Sequence, residues 1–215
     1  MTESLFDLLA PPSDTSGRIF GVATGIVTNN QDPDGQGRVR VRFPWLADST
    51  ESFWARIASP MAGPARGVYF LPEVEDEVLV AFQHGRPEAP VVVGALWNGK
   101  DKPPSDNGDG KNNIRIIKSR SGHLVRLDDT DGKEKIEIID KSGKNKIVID
   151  SAANTVTISA DADVAIKSAN GKLSLSGASV EIKSSSGEIA LTSQAATTVK
   201  AQADLTLKGQ VVNIN

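Results

Sequence analysis

A pair of apolar side chains separated by one residue recurs throughout residues 114–215, and this repeat restricts the fold more than any other feature of the chain. The second members of successive pairs lie 11, 11, 11, 9, 8, 9, 7, 9, 8, 8 and 7 positions apart. A near-constant return of this kind predicts stacked repeats in which each unit contacts its neighbours. The pairs, one of which begins with Thr, are Ile114 and Ile116, Val125 and Leu127, Ile136 and Ile138, Ile147 and Ile149, Val156 and Ile158, Val164 and Ile166, Leu173 and Leu175, Val180 and Ile182, Ile189 and Leu191, Thr197 and Val199, Leu205 and Leu207, and Val212 and Ile214.

Each unit is predicted to be a short β-strand with one apolar face, because residues two positions apart lie on the same side of a strand. Gly, Asn, Asp, Ser and Lys fill the intervals, which is typical of tight turns. The apolar spacing of an amphipathic helix is absent. A single-chain β-helix would have a thin core and open strand edges, whereas three chains wound about one axis would close those edges. We therefore favour an intertwined trimeric β-helix, with the single-chain form as the alternative.

The composition changes abruptly after Pro104. All ten aromatic residues lie between Phe6 and Trp97, and all eleven prolines lie between Pro11 and Pro104. The polar, Gly- and Pro-rich segment between the two regions is typical of a linker. We predict an N-terminal arm at 1–16, a β-barrel at 17–98, a linker at 99–113 and the β-helix at 114–215.

No segment predicts export or membrane insertion. The chain has no cysteine, no apolar run near the ~20 residues of a membrane helix, and no N-terminal signal peptide. We expect a protein that is made in the cytoplasm and stays soluble.

Residues 17–97 predict a small barrel of the OB type, since they hold several short strand patterns separated by turn residues. The predicted strands are 18–27, 38–43, 53–58, 67–71, 77–82 and 91–96. Arg38, Arg40 and Arg42 alternate with valines, which predicts a half-buried strand with a basic outer face. The predicted fold class is therefore all-β, an OB-fold barrel followed by a trimeric β-helix.

Four stretches of the barrel region resemble the OB domain of spike proteins from contractile injection machines. They are GIVTNNQDPDGQGRVRVRFPW at 25–45, WARIASPMAG at 54–63, GVYFLPEVEDEVLVAF at 67–82 and RPEAPVVVGALWN at 86–98. The repeat region is similar to the triple-stranded β-helix of the same family. That family includes phage baseplate spikes, VgrG proteins of type VI secretion and spikes of extracellular phage-tail-like particles.

The resemblance implies a homotrimeric, non-enzymatic spike without cofactor or metal. Such a spike sits on a trimeric hub at the end of an inner tube, carries a PAAR-type tip protein and in some cases effector cargo, and contacts the target membrane transiently when the sheath contracts. It belongs to the baseplate of a phage-like particle, either cytoplasmic or released. VgrG proteins carry a hub domain before the barrel, so we expect the hub to be a separate polypeptide here. Neither a lysozyme domain nor the terminal His-x-His iron pair of some phage spikes is present in this sequence.

Two short segments are candidate docking sites. The apolar residues of the arm form a predicted hub-docking peptide or, alternatively, an unanchored terminus; they are Leu5, Phe6, Leu8 and Leu9. The end of the needle is the predicted interface for the tip protein, because unpaired strand edges and apolar ends invite a cap. It consists of Val211, Val212, Asn213, Ile214 and Asn215.

Several chemistry-bearing motifs are better explained as structure. The start of a calcium loop at Asn30, Asp32 and Asp34 lacks the acidic twelfth residue, so we interpret it as a turn. The carboxylates at 73–77 and 128–131 surround turns, and His84 and His123 lack nearby metal-ligand partners.

Two other functions remain as alternatives to the spike. The first is a β-solenoid tailspike that binds or cleaves surface glycans. The second is an OB-fold nucleic-acid binder, although residues 17–100 hold eight Lys and Arg against nine Asp and Glu and so lack a basic field.

Overall fold

The computed structural model describes residues 16–46 and 50–214, and within them the chain is all-β apart from one turn of 3-10 helix at Gln83–Gly85. This confirms the predicted fold class at the level of the barrel, while the intertwined β-helix stays a prediction. The chain forms two compact units, one ending at Asp161 and the other beginning at Ala162. The predicted boundaries after residues 98 and 113 both fall inside the first unit and also stay predictions. The arm, with Leu5, Phe6, Leu8 and Leu9, lies outside the described residues.

Seven strands precede residue 98 in the described part of the chain. They are β1 (Val22–Asn29), β2 (Arg40–Arg42), β3 (Arg56–Ile57), β4 (Ala62–Gly63), β5 (Arg66–Gly67), β6 (Glu77–Phe82) and β7 (Pro90–Ala95). The strand predicted at 77–82 is confirmed as β6, in which half-buried and buried residues alternate. The strand predicted at 67–71 is wrong, since only Gly67 belongs to a strand, the short hairpin of β4 and β5.

The barrel is a five-stranded sheet in the order β2-β1-β6-β7-β3, closed by contacts between its two ends. β3 and β7 are parallel, and the other neighbours pair antiparallel. Closure comes from the segment before β3, where Val39 and Ala55 exchange backbone hydrogen bonds of 3.0 and 2.8 Å. Closing the sheet removes the free edges that would otherwise pair with other chains.

The barrel core is aliphatic with two phenylalanines at one end. Its buried members are Val27, Val39, Val41, Phe43, Ala55, Val78, Val80, Phe82 and Val92. Gly25 is required by this packing, because a Cβ at that position would lie 2.2 Å from Cγ1 of Val41. The core therefore specifies a glycine in the middle of β1 for steric reasons.

The two ends of the barrel face different parts of the chain. At one end the N-terminal segment arrives, and the N–H of Ile19 donates to the carbonyl oxygen of Gly85 at 2.8 Å. At the other end the chain leaves after β7, where Leu96 N–H donates to the carbonyl of Glu77 at 2.9 Å. We call these the Gly85 end and the Glu77 end. Since Glu77 begins β6 and Gly85 lies in the turn that follows its last residue, the described segment before β1 and the segment after β7 lie at opposite ends of the barrel.

A second five-stranded sheet succeeds the barrel in the chain and is built from five of the predicted repeat units. Its strands are β8 (Ile114–Lys118), β9 (Leu124–Asp128), β10 (Lys135–Ile139), β11 (Lys146–Asp150) and β12 (Thr155–Ser159). Each strand pairs antiparallel with the next, so this part of the chain is a meander. Within the described residues after Ser159, no further strand is formed.

Candidate assembly surfaces

One face of the β8–β12 sheet is an aliphatic surface whose large side chains are exposed among the described residues. In one cross-strand row Ile138 lies opposite both Val125 and Ile147, and in the next Ile136 lies opposite Leu127 and Ile149. Because the rows are two residues apart, both lie on the same face. The nine members are between 37% and 68% exposed and are Ile117, Val125, Leu127, Ile136, Ile138, Ile147, Ile149, Val156 and Ile158. We call this set the aliphatic face.

The first repeat unit departs from the predicted pairing. In β8 it is Ile117 that lies opposite Val125 and so belongs to the aliphatic face. The predicted pair, Ile114 and Ile116, lies opposite Asp128 and Arg126 and therefore occupies the other face. Because β8 has three isoleucines within four residues, the sequence does not say which of them lie on the aliphatic face. The register between β8 and β9 decides this.

The aliphatic face contains a groove of about 490 Å³ along the row that includes Val125, Ile138 and Ile147. Contiguous apolar surface of this kind is uncommon on monomers and is typical of interaction sites. From β9 to β12, the sequence predicted this stripe from its period alone.

The opposite face of the same sheet carries charges that are paired within the chain. Glu137 is 7% exposed, and its carboxylate accepts a hydrogen bond from Nε of Arg126 at 2.6 Å. Lys135 Nζ lies 3.6 Å from the same carboxylate. The two faces therefore differ in chemistry: one has these charges satisfied internally, and the other leaves its aliphatic groups in water.

The second unit, from Ala162 onward, carries the remaining repeats as exposed chain. Its large apolar residues among those described are between 49% and 84% exposed, including Val211, Val212 and Ile214 at the predicted tip. Asn213 is also exposed, while Asn215 lies outside the described residues. The assignment of these residues to a tip interface stays a prediction.

The predicted basic strand is neutralised residue by residue. Arg38 pairs with Asp32 and Asp34, each at 2.6 Å, and two more arginines have acidic partners of their own. Arg40 Nη1 lies 3.1 Å from Glu51, and Arg42 Nη2 lies 3.7 Å from Glu75.

Stacking adds to this pairing, since the guanidinium groups of Arg38 and Arg40 lie over the ring of Trp54 at 5.8 and 5.0 Å. Arginines held this way present little free charge to a phosphate backbone.

Asp32 anchors the loop between β1 and β2. Its side chain is 3% exposed and accepts hydrogen bonds from Arg38 and from the N–H groups of Asp34, Gln36 and Arg38. The guanidinium of Arg38, together with these N–H donors, holds the pKa of Asp32 well below its usual range despite an opposing effect of burial. The interpretation as a structural turn therefore accounts for the calcium-like motif.

The carboxylates at 73–77 also have separate structural partners. Asp76 accepts a hydrogen bond from the N–H of Glu73 at 2.8 Å, and Glu77 accepts one from Nδ2 of Asn98 at 2.7 Å. Glu73 pairs with Arg120 at 2.5 Å. These groups do not converge on one point as an acid and base pair must.

The second acidic cluster behaves in the same way. The hydroxyl and N–H of Thr130 lower the pKa of Asp128, and Asp129 pairs with Arg115.

The two histidines are placed by backbone geometry. His84 adopts a left-handed conformation, φ 53°, in the turn between β6 and β7. His123 accepts a hydrogen bond at Nδ1 from the N–H of Lys141 at 3.2 Å. Within the described ranges, no group of three or more His, Cys, Asp or Glu is arranged to hold a metal ion. No helix in the described part of the chain has the length and apolarity that a membrane span needs.

The barrel also exposes aromatic and apolar side chains at its two ends, of which Phe20, Val68, Tyr69 and Phe70 lie in predicted strands and Trp45 and Met61 do not. At the Gly85 end, Trp45 stacks on Phe43 at 5.6 Å and Phe43 on Phe82 at 5.7 Å, while Phe20 lies against Gly85. At the Glu77 end, a loop places another group outward, namely Met61, Val68, Tyr69 and Phe70. A sequence signal for the second group existed: four apolar residues in succession at 68–71 exceed what one strand face needs.

The closed barrel is the part of the chain that a known protein family matches. Residues 23–97 match the type VI secretion system/phage-baseplate injector OB domain. The barrel is therefore similar to that domain over its whole length, and the OB architecture predicted from the sequence is confirmed.

Curated relatives carry the same assignment. The chain is 32% identical over 133 residues to the type VI secretion system spike protein VgrG5 of Pseudomonas aeruginosa, covering 55% of this chain and 17% of the relative. It is 34% identical over 123 residues to the spike protein VgrG4b of the same organism, covering 46% of the chain and 15% of the relative. The resemblance to VgrG-type spike proteins is therefore confirmed.

A third relative is the actin cross-linking toxin VgrG1 of Vibrio cholerae, 32% identical over 75 residues. That match covers 33% of this chain and 7% of the toxin. Because the chain spans only a small part of each relative, the activity in this name is not transferred. The prediction that the chain is not an enzyme stays a prediction.

Proposed function

We propose that this chain is the subunit of a homotrimeric central spike in the baseplate of a contractile injection system. The single observation that carries the proposal is the aliphatic face, left uncovered on a sheet that directly succeeds an injector OB barrel. Three such faces turned toward a common axis would bury each other. Full burial of an aliphatic side chain contributes roughly 1.5–3 kcal/mol, so nine partly exposed residues per chain supply a large driving force.

The second unit supports the same assembly by a different argument. Its repeats, from Val164 to Ile214, keep the apolar pairs of the earlier units but form no strands within the described chain. Strand backbones need partners, and buried groups left without them are costly. Winding around two other copies would supply both the missing hydrogen bonds and the apolar contacts.

The polarity of the barrel supports docking on a separate hub. The N-terminal segment arrives at the Gly85 end, and the chain leaves at the Glu77 end. In a spike, the needle must point away from the tube, so the hub would bind at the Gly85 end. We assign that contact to the arm residues Leu5, Phe6, Leu8 and Leu9, together with the exposed aromatic group around Trp45.

The far end of the needle is proposed to bind a PAAR-type tip protein through residues 211–215. Piercing of the target envelope on sheath contraction, transient membrane contact and transport of effector cargo complete the proposed role, with the spike present in a cytoplasmic or released particle. Deleting 211–215 should abolish binding of the tip protein and leave the trimer intact. Retention of tip binding by the truncated chain would contradict this assignment.

Mass photometry of the purified chain tests the central claim. We expect one species at three times the 22.7 kDa chain mass. The needle should also resist protease, because opening it requires three chains to separate together. A monomer at every concentration measured would contradict the proposed function.

A further inference from the structure

Asparagine followed by glycine occurs three times in the chain, at Asn98, Asn107 and Asn170. This dipeptide is prone to spontaneous deamidation, because glycine has no side chain to hinder attack by its own backbone nitrogen on the asparagine amide. The reaction requires that the side-chain amide and this nitrogen are free to approach each other. The hydrogen bonds around each site therefore decide which of the three asparagines can react in the folded chain.

Asn98 is held at both polar atoms of its side-chain amide. Its Nδ2 donates to Oε2 of Glu77 at 2.7 Å, and its Oδ1 accepts from the N–H groups of Lys100 and Asp101 at 2.8 and 2.7 Å. The amide cannot turn toward the nitrogen of Gly99 without giving up these bonds. The fold therefore protects Asn98.

Asn107 is restrained mainly through the nitrogen that would attack it. The N–H of Gly108 donates to Oδ1 of Asp106 at 3.1 Å, and Oδ1 of Asn107 accepts from the N–H of Asn112 at 2.7 Å. The attacking nitrogen must lose its proton, and a negative charge beside the Asp106 carboxylate is unfavourable. The local structure therefore also protects Asn107.

Asn170 has neither kind of restraint. It is exposed, in the interval between the repeat pairs that end at Ile166 and begin at Leu173. Within the described part of the chain, neither Asn170 nor Gly171 takes part in a hydrogen bond or an ion pair. The side-chain amide and the nitrogen of Gly171 are therefore free to meet.

We propose that Asn170 is a modification site, at which the chain converts spontaneously to aspartate and isoaspartate, whereas Asn98 and Asn107 stay intact in the folded chain. The nitrogen of Gly171 bonds to Cγ of Asn170, the bond from Cγ to Nδ2 breaks, and the proton from Gly171 leaves with that nitrogen as ammonia. Water then opens the cyclic imide at Cγ to give aspartate, or at the main-chain carbonyl to give isoaspartate. In sum, one amide and one water yield one carboxylic acid and one ammonia.

Either product changes the turn in which it forms. The new carboxylate places a negative charge between Lys167 and Lys172. In the isoaspartyl form the main chain also passes through the side-chain methylene, which lengthens the turn between two repeat units. The reaction needs only groups of one chain, so it is independent of the proposed assembly.

Peptide mapping of the full-length chain by mass spectrometry tests the proposal. The purified protein is incubated in warm, mildly alkaline buffer, once folded and once in concentrated urea, and samples are digested over time. Replacement of the amide by an acid raises the peptide mass, and isoaspartate is separated from aspartate by its chromatographic retention. In the folded chain we expect position 170 to react about tenfold faster than positions 98 and 107, since their hydrogen bonds must open first. In urea we expect the three rates to converge.

The control variant is Asn170→Gln, whose longer side chain disfavours ring closure. We expect it to remove most of the isoaspartate that the methyltransferase specific for this residue detects in the aged folded protein. Equal rates at the three positions in the folded chain would overturn the proposal, as would an Asn170→Gln variant that accumulates as much isoaspartate as the unmodified chain. A lead of position 170 that persists unchanged in urea would also overturn it, because the contrast would then not come from the fold.

Discussion

Arg38 donates from Nε and Nη2 to the two carboxylate oxygens of Asp32, at 2.8 and 2.6 Å. This two-pronged pair holds the loop that joins β1 to β2 and withdraws Arg38 from any external anion. The same residues formed part of a basic strand and of a calcium-like motif in the sequence. Their mutual contact supports the interpretation of both motifs as structural.

The pair predicts an acid-sensitive barrel. The folded-state pKa of Asp32 lies below its unfolded value of about 3.9, so its contribution is present above about pH 4 and is lost as the pH falls further. Asp32→Asn should lower the melting temperature at neutral pH, and the gap to the unmodified chain should narrow below about pH 4. Thermal unfolding tracked by circular dichroism across pH measures this. The control is Asp34→Asn, because the Asp34 side chain is 61% exposed. A difference in melting temperature between Asp32→Asn and the unmodified chain that does not change with pH would contradict the prediction.

Gly25 predicts a steric requirement in the barrel wall. Gly25→Ala would place a methyl group 2.2 Å from Cγ1 of Val41, so we expect a destabilisation of about 1–3 kcal/mol or more. Gly94→Ala in β7 is the control, because a methyl group there would have nothing within 4 Å. Urea unfolding of the two variants gives the comparison. Equal unfolding free energies of the two variants would show that the barrel can accommodate a methyl group at position 25 and would contradict the prediction.

The burial of Glu137 predicts that the stability of the second sheet depends on Arg126. Arg126→Met removes the guanidinium that satisfies this buried carboxylate, which we expect to cost about 1–3 kcal/mol. Adding Glu137→Leu removes the carboxylate, which would then face only Lys135 at 3.6 Å, and should recover most of that loss. Unfolding free energies of the single and double variants complete the cycle. A double variant that is as unstable as Arg126→Met would contradict the assignment.

Adjacent residues of β12 test the aliphatic face. Ile158 belongs to this face and Thr157 points to the opposite one, and both are exposed in the single chain. Ile158→Glu should block trimer formation, because assembly would bury an unpaired charge, whereas Thr157→Glu should not. Mass photometry separates the outcomes. Trimers from both variants would place the subunit contact elsewhere.

The local sequence pattern was sufficient to predict those strands in which apolar and polar side chains alternate between the two faces. The strand predicted at 77–82 is confirmed as β6, and the repeat pairs from Val125 to Ile158 coincide with β9–β12. Alternation of side chains across a strand is a property of a few neighbouring residues, so it can be read from the chain directly. The resemblance of residues 25–98 likewise depended on short motifs and was confirmed by the family match.

Tertiary contacts decided the rest. Residues 68–71 have the composition of a strand, yet the Gly67 turn and the Ser59 hydrogen bonds turn Tyr69 and Phe70 outward. The pairing of Arg42 with Glu75 joins residues far apart in the chain, so no local signal could have predicted it.

The amino-acid order alone therefore determined that the described chain is all-β and that the repeats from Val125 to Ile158 form one-sided apolar strands. It also determined the resemblance of the barrel to the injector OB domain. Each of these depends on periodicity or short motifs. The folded chain decided which charges are already neutralised, which end of the barrel receives the N-terminal segment, and which apolar surfaces remain uncovered. These depend on contacts between distant residues, which closing the barrel and pairing the strands bring together.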